Sequence, residues 1–141
     1  MSFIWKFLVA VSLVWSGSRL GDSLALVNLY NSNPGNSLGW DFTIPMDNWQ
    51  GVALKEGRVT ELESYNTGIS NLPNSFSQLD VLTFFSLQSQ DFTKFPMVLV
   101  EIPTIQTLIM GETTLDSLPA EIGTMKSLRR LIFNRCSLVY I

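Results

Sequence analysis

The sequence predicts a solenoid of stacked repeats in the α/β class, and three observations carry this prediction. Prolines stand at Pro73, Pro96 and Pro119, which are 23 residues apart. Residues 59–141 divide on that period into four lines that align without an insertion or a deletion. The apolar residues keep to the same columns in each line. A fixed period between about 20 and 50 residues is typical of a solenoid, because one unit cannot bury its own apolar side and packs on its neighbours.

The four lines cover 59–81, 82–104, 105–127 and the incomplete 128–141, and columns are numbered from the first residue of each line. Columns one, four, six, eleven and fourteen are almost entirely apolar. Columns four and six lie two residues apart, the spacing at which strand side chains point to one face, so they predict a short strand. The proline after column fourteen is expected to end any helix or ladder, leaving loops or short helical turns on the other side of each unit.

This pattern resembles the leucine-rich repeat, L-x-x-L-x-L-x-x-N/C-x-L followed by x-x-L-P-x-x-I-x-x-L, over 83 of the 141 residues. The resemblance implies a leucine-rich-repeat solenoid with a short curved parallel sheet, loops or short helical turns on its convex side, and a helical N-terminal cap. In the family, an asparagine in column nine bridges backbone groups of adjacent coils. That column holds Thr67, Gln90, Thr113 and Cys136 here. Cys136 is the only cysteine, and we interpret it as a buried structural thiol rather than a reactive or intermolecular one.

Residues 19–58 are predicted to form the cap in front of the repeats. They begin with a short helix at 21–31, in which Asp22 is the expected N-cap, and a turn follows at 33–36. The next segment is rich in aromatic residues. Its tryptophans are expected to pack in the core of the cap rather than to form a platform for a ligand.

The W-Q-G-V motif at 49–52 and the helix before it resemble the N-terminal cap of secreted leucine-rich-repeat proteins. The segment 22–27 is especially similar to bacterial ones. In the plant version of this cap, cysteines bracket the motif, whereas this chain has Asp47 and Leu54 at those positions. The resemblance therefore implies a bacterial-type cap that is held by packing without a disulfide.

Residues 1–18 are predicted to be a secretory signal peptide. An apolar run of nine residues at 7–15 precedes the small residues Ser16, Gly17 and Ser18. The run is too short to cross a bilayer, for which about 20 apolar residues are needed, so no stable membrane span is expected. An ordinary buried N-terminal segment and an uncleaved anchor are the alternatives. The predicted location is outside the cell or on its surface.

Composition argues against several functional classes. The formal net charge of −3 lacks the basic excess of a nucleic-acid-binding surface. The chain has no histidine and one cysteine, which leaves no catalytic triad and no zinc-binding spacing. Glu61 and Glu63 alternate onto one strand face, as the paired carboxylates of a glycosidase could, but a solvated charge patch is the favoured interpretation. We therefore expect no enzyme, no cofactor and no metal site.

Columns three, five and seven are predicted to line the concave face of the sheet, pointing away from the core. Several of their residues are apolar, and packing inside the domain does not explain them. A contiguous apolar band indicates a surface for a partner, although short solenoids also tolerate scattered apolar residues on their surface. The predicted partner-binding residues are Glu61, Glu63, Tyr65, Phe84, Ser86, Gln88, Ile109, Arg130 and Ile132.

The sequence thus predicts a secreted leucine-rich-repeat module that binds a protein partner through its concave face. The alternative is an N-terminal structural part of a longer surface or adhesion protein, with no activity of its own. The last repeat stops at column fourteen and is not followed by a polar capping unit, so we expect the isolated chain either to self-associate through this repeat or to fray back to about Lys126.

Overall fold

The computed structural model describes residues 17–135. Residues 17–135 contain one α-helix, α1 (Arg19–Asn31), and five strands. The strands are β1 (Val52–Lys55), β2 (Arg58–Tyr65), β3 (Phe84–Gln88), β4 (Thr107–Ile109) and β5 (Arg130–Ile132). Most of the predicted signal peptide, and Cys136, lie outside the described residues. Short 3-10 helices occupy Met46–Asn48, Asn74–Gln78, Met97–Glu101 and Ala120–Thr124.

The five strands form one sheet in chain order. β1 and β2 pair as an antiparallel hairpin, and β2 to β5 pair in parallel. Glu61 pairs with Phe84, Phe84 with Thr107 and Thr107 with Arg130, which is an offset of 23 residues at every step. Equal columns of the repeat therefore stack on one another across the sheet, and the predicted parallel sheet is confirmed.

The core lies between the sheet and the 3-10 helices. In column four, Leu62, Phe85 and Leu108 are buried, as the repeat pattern predicts. Leu131 is the exception, because 38% of its surface is exposed. Within residues 17–135, no further coil lies beyond β5 to cover the core side of the last repeat.

The repeat prolines begin the convex turns and do not end them. Pro73, Pro96 and Pro119 each occupy the position before a five-residue 3-10 helix. Proline suits that place, because its fixed φ fits the start of a helix and the missing N–H would have no partner there. The short helical turns predicted for the convex side are confirmed, while the role given to the prolines is corrected.

Helix α1 begins two residues earlier than predicted, and its N-cap is Ser18 rather than Asp22. Ser18 has an extended backbone, and its hydroxyl accepts a hydrogen bond from the Gly21 N–H at 2.9 Å. That geometry is typical of an N-cap. Asp22 lies inside the first turn and is fully buried.

Asp22 joins the cap to the first repeat. Its carboxylate accepts hydrogen bonds from the Arg58 Nε and Nη2 atoms at 2.9 and 3.0 Å, and from the Val59 N–H at 2.9 Å. Arg58 also pairs with Asp80. The hydrogen bond to Asp22 is the main cause that raises the pKa of the Arg58 guanidinium. The helix, the first long strand and the first convex turn thus meet at one charged junction.

The tryptophans of the cap are buried, as predicted. Trp40 and Trp49 stack with 5.3 Å between ring centroids. Their indole N–H groups donate to the carbonyl oxygens of Gln50 and Asp41, each at 2.9 Å. A buried indole needs such a partner, so each ring has a fixed orientation in the cap core.

Asn33 is a second polar link between cap and repeats, which sequence reasoning treated only as part of a turn. Its buried side-chain amide donates to the carbonyl oxygens of Leu29 and Asn71, both at 2.8 Å. Its Oδ1 accepts from the N–H groups of Ser70 and Asn71 at 2.9 and 3.0 Å. All the hydrogen bonds of its side chain are to backbone groups, so it ties the end of α1 to the first convex loop.

We expect Asp22→Ala to lower the free energy of unfolding by about 3–5 kcal/mol, because it leaves Arg58 partly buried without its main partner. Chemical denaturation measures the change. Asp47→Ala is the matched control, since Asp47 pairs with Arg19 and both side chains are about half exposed. An exposed pair contributes about 0–1 kcal/mol. Equal losses in the two variants would contradict the role given to Asp22.

Candidate functional site

The concave face consists of the outward-facing residues of columns three, five and seven on β2–β5. The charged residues predicted to bind a partner are exposed, and Tyr65 is the most open of the aromatic residues on this face, at 62%. The apolar residues there are half-buried. The structure brings all the predicted residues onto this one face, and they are Glu61, Glu63, Tyr65, Phe84, Ser86, Gln88, Ile109, Arg130 and Ile132.

Ser86 differs from the prediction, because only 2% of its surface is exposed. Its small side chain lies in the row between Glu63 and Ile109 on the neighbouring strands. The Gln88 side-chain amide donates to its hydroxyl at 3.5 Å. Larger neighbours therefore cover Ser86, and it is a poor candidate for direct contact with a partner.

The middle of the concave face is apolar. Phe84, Ile109 and Ile132 are half-buried, and they lie outside the hydrophobic core cluster. Phe84 and Ile109 occupy adjacent rows on neighbouring strands, so their side chains are diagonal neighbours. The apolar area they expose serves no purpose in packing the solenoid.

Charges of opposite sign stand at the two ends of the face. Glu61 and Glu63 lie on β2, and Arg130 lies on β5 in the same row as Glu61. Three strand spacings separate the ends of that row, which is about 14 Å. In the part of the chain that the structure describes, no ion pair involves these three residues. Both glutamates are exposed, which fits the solvated charge patch favoured over a catalytic pair.

The turn that ends each strand repeats one uncommon backbone conformation, which sequence reasoning missed. In column eight, every described residue has a φ between 51° and 56°, although none is glycine. The first three of these residues donate their N–H groups to column-seven carbonyl oxygens of the next repeat, at 2.8–3.0 Å. The only signal in the sequence is the absence of β-branched residues, which this conformation disfavours. Column eight holds Asn66, Ser89, Glu112 and Arg135.

Column eight also forms a polar rim beside the concave face. The Glu112 carboxylate accepts a hydrogen bond from the Ser89 hydroxyl, and it lies 3.4 Å from both the Tyr65 hydroxyl and the Arg135 guanidinium. The bond from Ser89 is the main cause that holds the pKa of Glu112 below its ordinary value, with smaller contributions from Arg135 and Tyr65. Tyr65 belongs to the first repeat and Glu112 to the third, so the tyrosine reaches across the second.

Gln90 performs the bridging role expected of column nine. Its buried Oε1 accepts from the Ile69 N–H at 2.9 Å and from the Thr67 N–H at 3.3 Å, both in the preceding coil. Its Nε2 donates to the Thr67 hydroxyl at 3.1 Å. Glutamine therefore satisfies backbone groups of the adjacent coil, as the family's asparagine is expected to.

A cleft of about 410 Å³ separates the cap from the first repeat at the edge of the concave face. Gly51 lines it with a φ of +80°, and its backbone approaches β2 closely. A Cβ atom on Gly51 would stand 2.0 Å from the Glu63 carbonyl oxygen, so this approach requires glycine. The cleft is lined by Ser37, Leu38, Gln50, Gly51, Glu63, Ser64, Tyr65 and Thr67.

No helix within 17–135 is long and apolar enough to cross a membrane. The same part of the chain brings together no group of three or more side chains that could hold a metal ion.

No protein-family model matches the chain. Among curated proteins, the chain is similar to adenylate cyclase of Schizosaccharomyces pombe, with 28% identity over 78 residues. The match covers 55% of this chain and 5% of that protein, so the chain spans a small part of the length of this relative.

Solved structures resemble the chain more extensively. A plant ice-binding protein has a TM-score of 0.71 at 17% identity, over 82% of this chain and 41% of its own. The leucine-rich-repeat ectodomain of the receptor kinase SOBIR1 from Arabidopsis thaliana has a TM-score of 0.63 at 17% identity, over 84% of this chain and 67% of that chain. The BIR3–SERK2 complex of Arabidopsis thaliana has a TM-score of 0.56 at 22% identity, over 82% of each chain.

These likenesses confirm the leucine-rich-repeat solenoid predicted from the sequence. At such low identity they establish the fold alone. The bacterial type of the repeats and of the cap stays a prediction.

Proposed function

We propose that this chain is a protein-binding module and that its concave face is the docking surface. The observation that carries the proposal is the apolar middle of that face, where Phe84, Ile109 and Ile132 lie outside the core. Charged residues flank this apolar middle on β2 and β5. An apolar centre with a polar rim is the common composition of a protein–protein interface.

The structural relatives support the same function. One is the ectodomain of a receptor kinase, and another is solved as a complex of two named proteins. The solenoid presents an extended strand face, which is the surface that repeat proteins use for binding. Catalysis has no comparable support, because within residues 17–135 no ion pair joins the exposed carboxylates of Glu61 and Glu63 to a basic group.

We expect the double variant Phe84→Ser, Ile109→Ser to weaken binding at least tenfold, because it removes the apolar centre of the interface. The probes are peptides selected from a random display library on the unmodified chain, with affinities measured by titration. Met97→Ser is the matched control, since Met97 is 44% exposed on a convex 3-10 helix.

The fold of the double variant should be unaffected, because neither side chain belongs to the core cluster. Loss of cooperative unfolding would show that these residues pack inside. Unchanged binding, or an equal loss in the Met97 variant, would contradict the concave face as the docking surface.

We also propose export, with a mature chain that begins near Arg19. The support is the apolar run and the small residues that follow it. Because Ser18 caps α1, cleavage before Ser18 would preserve about 0.5–2 kcal/mol of helix stability that cleavage after it would lose. N-terminal sequencing of the expressed protein tests export, and an intact Met1 would contradict it.

A second candidate function is that of a structural part of a longer surface or adhesion protein. The exposure of Leu131 favours it, because a further coil would bury that side chain. In the isolated chain, the same surface would support self-association. Sedimentation of the chain tests this, since Leu131→Asp should abolish a concentration-dependent association. A monomer at every concentration would contradict self-association.

A further inference from the structure

The cleft between the cap and the first repeat has the chemistry of a site for a cationic side chain. We infer that it binds a lysine or arginine side chain of the protein partner that docks on the concave face. The inference rests on the proposed function, which supplies the partner. It adds the identity of one contact and the place where that contact is made.

Hydrogen bonds between backbone groups fix both walls of the cleft. On one side, the Glu63 N–H donates to the Gly51 carbonyl oxygen at 2.8 Å. On the other side, the Ser37 N–H donates to the Thr67 carbonyl oxygen at 2.9 Å. The cap strand and the cap loop are thus both tied to the first repeat, and a ligand would enter a preformed space.

Part of the polar lining already has partners within the protein. The Gln50 carbonyl oxygen accepts from the Trp40 indole at 2.9 Å. The hydroxyl groups of Ser64 and Thr67 are bonded to each other, and Gln90 bonds Thr67 as well. These groups hold the walls rigid and have little capacity left for a ligand.

Glu63 is different, because it is the one charged residue among the described residues that line the cleft. No hydrogen bond or ion pair within residues 17–135 involves its carboxylate, and the side chain is exposed. Glu61 lies two residues earlier on the same strand and adds a second negative charge to the same face. The local field therefore favours a cation and repels an anion.

Tyr65 lines the cleft and extends from it over the concave face. Tyr65 is exposed, and its hydroxyl lies 3.4 Å from Glu112, which holds the side chain across the concave face. The face of a tyrosine ring attracts an ammonium or guanidinium group. The same ring can cover the apolar stem of a long basic side chain while the charged end reaches Glu63.

The size of the cleft agrees with a side chain rather than with a large free ligand. Pockets for small molecules measure about 300–1,000 Å³, and this cleft lies near the lower limit. The cleft is continuous with the concave face, because Glu63 and Tyr65 line the cleft and also lie on that face. A partner that packs on Phe84 can therefore place a basic residue in the cleft without leaving the sheet.

The test compares Glu63→Gln with Glu101→Gln, an exposed glutamate on a convex 3-10 helix. Peptides selected from a random display library on the unmodified chain should be enriched in lysine or arginine. We expect Glu63→Gln to weaken their binding about 10- to 100-fold, since it removes a charge-assisted hydrogen bond. Glu101→Gln should leave affinity unchanged. Added salt should weaken binding to the unmodified chain more than binding to Glu63→Gln.

The outcomes separate this inference from the proposed function. If Glu63→Gln binds as well as Glu101→Gln, or the peptides show no basic enrichment, the cation site is wrong. If binding is nevertheless lost in the Phe84→Ser, Ile109→Ser variant, the proposal that the concave face is the docking surface is supported, although the cation site is not. If neither Glu63→Gln nor the Phe84→Ser, Ile109→Ser variant weakens binding, or if no peptide can be selected, both the cation site and the concave docking surface are contradicted. Thermal unfolding of Glu63→Gln checks that the exposed substitution leaves the fold intact.

Discussion

Parallel strand pairing at a constant offset of 23 residues is the constraint on which the rest of the structure depends. Because strands pair residue by residue, each column of the repeat becomes a row across the sheet. A row points to the core or to the solvent along its whole length. Leu62, Phe85 and Leu108 thus form one core row, and the apolar residues of the outward rows remain available to a partner.

The position of the first repeat determines where the later repeats stack, and polar contacts with the cap hold that first repeat in place. Asp22 holds Arg58 at the first residue of β2, and Asn33 holds the backbone of the first convex loop. A buried ion pair adds little net stability over an apolar contact, but its geometry is specific, and we propose that it fixes where the first repeat lies. The opposite end has no such closure in the described residues, and Leu131 is exposed there.

Residue type at a fixed spacing was enough to predict the parallel strands of the repeats, their register and the buried columns, because burial follows side-chain period. It did not predict β1, which lies in the cap, outside the repeats. It was not enough where the outcome depends on distant partners. Asp22 looked like an N-cap, since nothing local reveals that Arg58 lies beside it. Ser86 looked exposed, because the size of neighbouring side chains decides its burial. The cleft depends on the close approach of Gly51 to β2, which is a tertiary contact.

The register of the outward rows is the central claim, and cysteine cross-linking measures it most directly. In a Cys136→Ser background, Glu63→Cys and Ser86→Cys should form a disulfide on mild oxidation, because these residues are directly paired. The control pair, Glu63→Cys with Leu87→Cys, should stay reduced, since Leu87 is shifted by one residue and points into the core. Cross-linking of the control pair in preference to the first would contradict the register and the concave face built on it.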